Sequence, residues 1–278
     1  MKKSEQTRAL AAAVGAAHAA GKLMRQNLRA TKVVNLATHH DIKLELDVRC
    51  QKLIERKLRE AFPQIPLLGE EGDSGDTSAE YRWVVDPIDG TVNFAYGIPH
   101  ACVSIALQVR GPKSKVQSPK AKVTHHASRS TSYQSIVGVV YDPFQEELWT
   151  AVRGNPARLN GRVIQASRRR ELKDCIVSLG FSKDRHNIER GLPQFAWLVR
   201  RVRKVRMMGA AALGLTYVAT GRLDGYIERG VSLWDVAAGS LIIECAGGIF
   251  WSEPIPGKSK IRMIASNGLI HAKLPVPR

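Results

Sequence analysis

The sequence predicts a mixed α/β fold, and three observations carry that expectation. Near the N-terminus Leu10, Val14, Ala17, Gly21 and Met24 recur at spacings of three and four, which makes one face of a helix. Runs rich in β-branched residues follow, Trp83 to Val85, Cys102 to Val109 and Ser135 to Tyr141, bounded by turn-forming residues. Beyond residue 171 strand-like and helical segments alternate, as in a sheet with helices laid on it. With 278 residues the chain exceeds the usual single domain, so one large or two closely packed domains are expected.

Each element has its own reason. Lys2 and Lys3 before an alanine-rich stretch resemble the basic end of a signal peptide, but Glu5, Arg8 and His18 dilute that segment. An amphipathic opening helix is the expectation. Asp41 to Asp47 (DIKLELD) leads into a second helix, whose Val48, Leu53, Ile54, Leu58 and Phe62 fall near one face until Pro63 ends it. A polar loop runs from Asp73 to Glu80, and Trp83-Val84-Val85 is a short strand that exits at Asp86-Pro87. Leu148 to Val152 pairs with the preceding strand through the turn Asp142 to Glu147. Further on, Ile176 to Leu179 and Asp224 to Glu228 read as strands, and Leu192 to Val202, Gly209 to Thr220 and Trp234 to Ala246 as helices. Gly221 and Gly247-Gly248 close the last two helices. Ile249 to Trp251 and Met263 to Ala265 are the final strands.

Composition excludes several classes. At 44% hydrophobic and 24% charged residues the chain is neither collagen-like, nor fully disordered, nor a small disulfide framework. No apolar run reaches the length of about 18 residues that crosses a membrane. Cys50, Cys102, Cys175 and Cys245 are widely spaced without a zinc pattern, as expected of reduced, mostly buried thiols in a cytoplasmic protein. The 42 basic against 25 acidic residues give a formal charge of +17. Such a field attracts phosphorylated substrates, acidic partners and nucleic acids alike. The stretch 111–134 carries Lys113, Lys115, Lys120, Lys122 and Arg129 and no acidic residue. It reads as a solvated hairpin excursion, with an RNA- or polyanion-binding arm as the functional alternative.

Three short segments concentrate the chemistry. In Asp86-Pro87-Ile88-Asp89-Gly90-Thr91-Val92-Asn93-Phe94, two carboxylates and an intervening main-chain carbonyl suit a hard divalent cation. Gly90-Thr91 then opens a turn or helix whose N–H groups can receive a phosphate oxygen. The plainer reading is a turn with a helix cap. Gly69-Glu70-Glu71-Gly72 offers two adjacent acids, by themselves a solvated loop, and Asp235 opens a helix whose dipole it would complement. Together Glu70, Asp86, Asp89 and Asp235 suffice for an oxygen-donor metal site, and gathering them without cations is electrostatically unfavourable.

Gly69-Glu70-Glu71, WVVDPIDGTVNF (Trp83 to Phe94) and WDVAAGSLIIECAGG (Trp234 to Gly248) together resemble the inositol monophosphatase family of Mg²⁺-dependent, lithium-sensitive phosphatases. The resemblance runs along nearly the whole chain, with 111–134 as an apparent insertion. It implies a layered αβαβα sandwich, expected in two parts, 1–170 and 171–278, and assembled as a homodimer. It also implies two or three Mg²⁺ ions. Glu70, Asp86 and the Ile88 carbonyl would hold the first, Asp86, Asp89 and Asp235 the second, and Glu70 a third. Gly90 and Thr91 would hold the phosphate, with Asp89, Ala211 and Glu228 also meeting substrate. Thr91 paired with Asp47, together with Glu70, would orient the attacking water. Leu46 beside Asp47 departs from the family's usual Thr, and the family's upstream Lys has no match, Lys43 being nearest. The implied function is hydrolysis of a small phosphorylated polyol, most directly inositol monophosphate. Histidinol phosphate, fructose 1,6-bisphosphate and NADP are alternatives, as is an RNA- or transcription-machinery-binding protein with residual phosphatase activity.

Overall fold

The computed structural model describes residues 1–37, 42–111, 133–181 and 185–277, without the side chains of 185–187. Helix α1 (Lys3–Asn27) and helix α2 (Glu45–Ala61) flank a small hairpin of β1 (Val34–Ala37) and β2 (Ile42–Leu44). Next come β3 (Leu67–Gly69), β4 (Tyr81–Asp89), the short α3 (Thr91–Ala95), β5 (Cys102–Arg110), β6 (Tyr133–Asp142), β7 (Glu147–Val152), β8 (Arg158–Leu159) and β9 (Arg162–Val163). These strands form one seven-stranded sheet in chain order, parallel only between β3 and β4. The remainder, β10 (Ile176–Leu179), α4 (Arg185–Val199), β11 (Lys204–Arg206), α5 (Ala211–Ala219), β12 (Gly225–Val231), α6 (Leu233–Cys245), β13 (Ile249–Pro254) and β14 (Ile261–Ser266), contains a mixed five-stranded sheet in the order β11-β10-β12-β14-β13.

The alternation of side chains fixes five layers. Along the large sheet Val85, Ile105, Leu107 and Val139 pack with α1 and α2, while Val84, Ala106 and Val140 turn the other way onto α5 and α6. In the small sheet Tyr226, Met263 and Ala265 face α5 and α6, whereas Ile227 and Ile264 pack with Leu198 of α4. The result is an αβαβα sandwich. Both sheets are covered on two faces, which is why their strands are near-continuous apolar runs rather than alternating ones. Among the described residues no helix is long and apolar enough to cross a membrane. All four cysteines are free thiols, three of them buried.

Several details differ from the sequence expectation. The buried stripe of α1 is Ala9, Ala13, Ala16, Ala17, Ala20, Gly21 and Met24, while Leu10 and Val14 lie at its margin. Small residues win because the helix lies close against the sheet. In α2, Leu46, Cys50, Ile54 and Leu58 are buried, and Val48 and Leu53 are only partly so. Helix α4 begins at Arg185, well before the expected Leu192, and carries Pro193 inside it. Strand β4 does not exit at Pro87 but continues to Asp89 with an irregularity: Asp86 pairs Ser104, and Asp89 pairs Cys102. Three steps on one strand oppose two on the other, the signature of a bulge, which is where a strand tolerates proline.

At the outer end of the large sheet Arg110 pairs Tyr133 across β5 and β6. The Arg110 guanidinium donates to the Tyr133 hydroxyl (3.2 Å), which donates to the Ala79 carbonyl (2.7 Å), and Arg82 stacks 3.6 Å from the Tyr133 ring centre. The stretch 111–134 spans this pair, and its residues 112–132 lie outside the described residues, as does Asp41.

The close approach of α1 is testable. A β-carbon at Gly21 would stand 2.5 Å from the Tyr141 ring, whereas one at Gly15 would meet nothing within 4 Å. Gly21→Val is expected to lower stability by about 1–3 kcal/mol through overpacking. Gly15→Ala should raise it by roughly 0.5–1 kcal/mol through helix propensity alone. Chemical denaturation of the two variants reads both signs, and equal effects would rule out the close contact.

Candidate active site

The bulge at Pro87 decides where the acids point. Residues three apart in a regular strand face opposite sides of a sheet. The extra residue turns both Asp86 and Asp89 toward the α5–α6 layer, on the side of their partners Ser104 and Cys102. An open cleft of about 640 Å³ lies there, and Glu70, Asp86, Asp89, Thr91, Glu228 and Asp235 line it. Ile88, Gly90 and Ala211 line the same cleft. Of the residues expected at the site, only Asp47, which is buried, does not line the cleft.

Helix N-termini hold three of the carboxylates. Asp89 accepts from the first two amides of α5, Ala211 N (3.0 Å) and Ala212 N (2.7 Å), one on each oxygen. Asp235 sits at the third position of α6 and accepts from Ser232 N (2.7 Å). Asp47 does the same for α2, accepting from Leu44 N at 2.7 Å. The dipole-complementing role expected of Asp235 is therefore present, and it coexists with a place in the cleft. Ser104 and Ser135 on the large sheet donate to the Trp234 and Ala237 carbonyls (3.3 and 2.8 Å). This fastening sets Asp235 over Asp86, the cross-strand partner of Ser104.

Burial and crowding act against the charges. Asp86 is 1% exposed and Asp89 7%. Burial first, then Glu70, Asp89, Asp235 and Asp47, push the Asp86 carboxyl well above the usual carboxylate range. Burial raises Asp89 to about 6 despite its two α5 amides, and raises Asp47 to about 7 despite the Leu44 amide. The Asp47 Oδ1 atom is buried with no hydrogen-bond partner.

This set of hard oxygen donors fits Mg²⁺ by its chemistry, since a divalent cation would relieve the repulsion that otherwise favours protons. Among the described residues no three His, Cys, Asp or Glu side chains already stand as a closed metal cage. Asp89 and Asp235 are instead held by amides at helix starts, and Asp86 accepts from Ile88 N (3.0 Å) within β4.

The phosphate corner is equally specific. Gly90 has φ +91°, and a β-carbon there would meet the His100 carbonyl oxygen at 2.9 Å, so glycine is required. The Thr91 hydroxyl donates to the Ile88 carbonyl (2.9 Å) rather than bonding Asp47 directly. Lys43, the nearest match to the family's upstream Lys, pairs with Glu71 (3.0 Å). Across the cleft the Tyr226 hydroxyl donates to Glu228, and Gly180 leaves the room that this carboxylate fills.

Supporting residues escaped the sequence reading. Gln51 of α2 accepts from Glu71 N (2.9 Å) and donates to the Gly72 carbonyl (2.8 Å), clamping the loop that carries Glu70. A β-carbon on Gly69 would lie 2.3 Å from the Gln51 oxygen. Asn93 donates to the His100 and Met208 carbonyls (both 2.9 Å), tying the phosphate corner to the approach of α5. The only available signal was the Asn in the motif itself.

Residues 5–128 and 131–271 match the family model described as inositol monophosphatase family. A protein named Nus factor SuhB from Pseudomonas aeruginosa is 37% identical over 245 residues, covering 85% of this chain and 82% of its own. An inositol-1-monophosphatase from Rhizobium meliloti is 37% identical over 238 residues, covering 84% and 79%. Among solved structures, extragenic suppressor protein suhB from Bartonella henselae superposes with a TM-score of 0.80 at 32% identity, over 95% of this chain and 96% of that one. Inositol monophosphatase from Anabaena gives 0.76 at 32% identity, over 96% of both.

The raised carboxyls predict an unusual pH response. Because Asp47 and Asp89 bind protons more tightly folded than unfolded, the metal-free protein loses stability as pH climbs from about 4 to 7. Each tenfold change in proton affinity corresponds to about 1.4 kcal/mol. In EDTA the melting temperature is expected to fall across that window, and Mg²⁺ should restore it at the upper end. Asp47→Asn, which keeps an acceptor for Leu44 N, should flatten the decline. A melting temperature indifferent to both pH and Mg²⁺ would contradict the crowded-acid reading.

Proposed function

The chain belongs to the inositol monophosphatase family and is a phosphoric monoester hydrolase; from that premise we propose that it cleaves the phosphate ester of a small polyol, with inositol monophosphate the first candidate and Mg²⁺ the cofactor. The observation that carries the proposal is the convergence of Glu70, Asp86, Asp89 and Asp235 on one cleft beside Gly90 and Thr91. Glu70, Asp86, the Ile88 carbonyl, Asp89 and Asp235 would hold the ions. When bound, Mg²⁺ supplies the positive charge that neutralises phosphoryl oxygens and makes water a better nucleophile. The amides of Gly90 and Thr91 receive a phosphate oxygen. Thr91 Oγ1, with Asp47 as its partner in the family pattern, orients the attacking water. Glu228, fixed by Tyr226, accepts from a polyol hydroxyl, and Ala211 shapes the wall beside it. In this reading 1–170 brings the phosphate corner and 171–278 brings Ala211, Glu228 and Asp235. We extend the family pattern to a homodimeric, cytoplasmic enzyme.

A second reading has its own support. The charge of +17 and the Nus factor name of the Pseudomonas relative favour an RNA- or transcription-linked role for the basic stretch 111–134. Replacing its five cations by Gln should flatten the dependence of log RNA affinity on log salt. An unchanged slope would remove that role.

Two experiments test the catalytic reading. Phosphate release from a panel of monoesters should appear with Mg²⁺ and vanish in EDTA, with Asp86→Asn or Asp235→Asn at least about a hundredfold slower. Near-normal turnover in either variant would refute the assignment. Thr91→Ala should lower kcat by about two orders of magnitude or more. Its Mg²⁺ affinity by calorimetry should stay within a few fold, and loss of metal binding would instead make Thr91 a structural residue.

A further inference from the structure

Gln51 is a polar side chain on an apolar helix face. It is 6% exposed and shares the buried side of α2 with Leu46, Cys50, Ile54 and Leu58. A buried amide costs stability unless both of its ends are bonded. Here they are: Oε1 accepts from Glu71 N (2.9 Å) and Nε2 donates to the Gly72 carbonyl (2.8 Å). A neutral amide can accept and donate at once.

These bonds fix the limb of chain that leaves Glu70. The limb that enters it is fixed by the sheet, since Glu70 N donates to the Val85 carbonyl (3.2 Å). Between the two limbs the backbone turns back on itself, with Gly72 N donating to the Gly69 carbonyl (3.4 Å) and Gly72 at φ +118°. Gln51 also stands one helical turn after Asp47, and residues four apart share a helix face. Helix α2 therefore carries both the acid expected beside the attacking water and the amide that holds the Glu70 turn.

Gly69 shows how closely that amide lies. The three nearest atoms that a β-carbon there would meet all belong to Gln51, at 2.3, 2.6 and 2.7 Å. Gly69 is not among the glycines with a left-handed φ, so its own backbone would accept a side chain. What keeps position 69 glycine is Gln51.

We propose that Gln51, received in the space that Gly69 leaves, is a positioning residue for Glu70 and sets the affinity of the cleft for its divalent cation. This rests on the metal part of the proposed function. Gln51 does not line the cleft, whereas Glu70 does. It acts by holding the turn, so that the Glu70 carboxylate is ordered before a cation arrives and the cost of ordering it is not taken from binding. Residues that orient a metal ligand in this way typically change metal affinity tenfold to hundredfold when lost, by the measure of about 10–100.

The test is Mg²⁺ binding to the full chain by calorimetry, without substrate. Gln51→Met keeps the length of the side chain and removes both bonds. It is expected to weaken Mg²⁺ binding by about tenfold, while kcat at saturating Mg²⁺ stays within about threefold. Gly69→Ala, whose methyl displaces the amide, should weaken binding comparably. In Gln51→Ala the space is vacant, so adding Gly69→Ala should cost nothing further and the two losses should not add. A merely structural role would lower the melting temperature without moving Mg²⁺ affinity. Unchanged affinity in Gln51→Met, or additive losses in the double variant, overturns the proposal. If Gln51→Met does not fold, Gly69→Ala decides alone, because it leaves the amide in the chain: unchanged affinity there overturns the proposal. Mg²⁺ binding without phosphate release from any monoester would sink the phosphatase reading and leave the role of Gln51 standing. No Mg²⁺ binding by the unaltered protein overturns both.

Discussion

Peptide N–H groups at helix ends hold this site together. Three acids that each press on Asp86, namely Asp47, Asp89 and Asp235, are anchored by amides at the start of a helix, α2, α5 and α6 in turn. Without those donors, burial would leave the carboxyls protonated or drive them outward. The layered fold is what makes the arrangement feasible. Helix α2 belongs to the outer layer and α5 and α6 to the central one, so positive helix ends approach the end of β4 from both faces of one sheet. The Asp89 contact is also a tertiary clasp, joining the large sheet to the first turn of α5 across more than a hundred residues of chain.

Much of this is legible in the amino-acid sequence itself. Strands covered on both faces must be apolar throughout, and the runs at Cys102 and Ser135 announced β5 and β6 for that reason. The acids of the motif were legible because their chemistry tolerates few substitutes. What stayed hidden depends on partners distant in sequence. The stripe of α1 is alanine because the sheet lies close beneath it, and no local periodicity reveals that distance. Likewise, the sequence places a helix only from Leu192, but α4 starts at Arg185 and runs through Pro193.

The bulge is the instructive case. Read locally, Asp86-Pro87 ends a strand. Read with its neighbour, Pro87 occupies a place in the ladder where a missing N–H matters least, and the strand carries on. The same proline thereby turns two acids onto one face. Gln51 shows the opposite limit: its importance lies wholly in reaching the Glu70 loop some twenty positions away, and nothing around it in sequence says so.

The rung of Arg110 and Tyr133 has a bearing on how this chain can change over time. Strands β5 and β6 are already locked in register by that pair and by the Ala79 carbonyl before the intervening residues begin. Closing a longer loop costs only a slowly growing entropy, so its length is decoupled from the sheet that it joins. Lineages can lengthen, shorten or recode this connection without compensating changes in the core. For the same reason it is where a laboratory would graft a reporter peptide or an affinity tag, the register of β5 and β6 being set outside it.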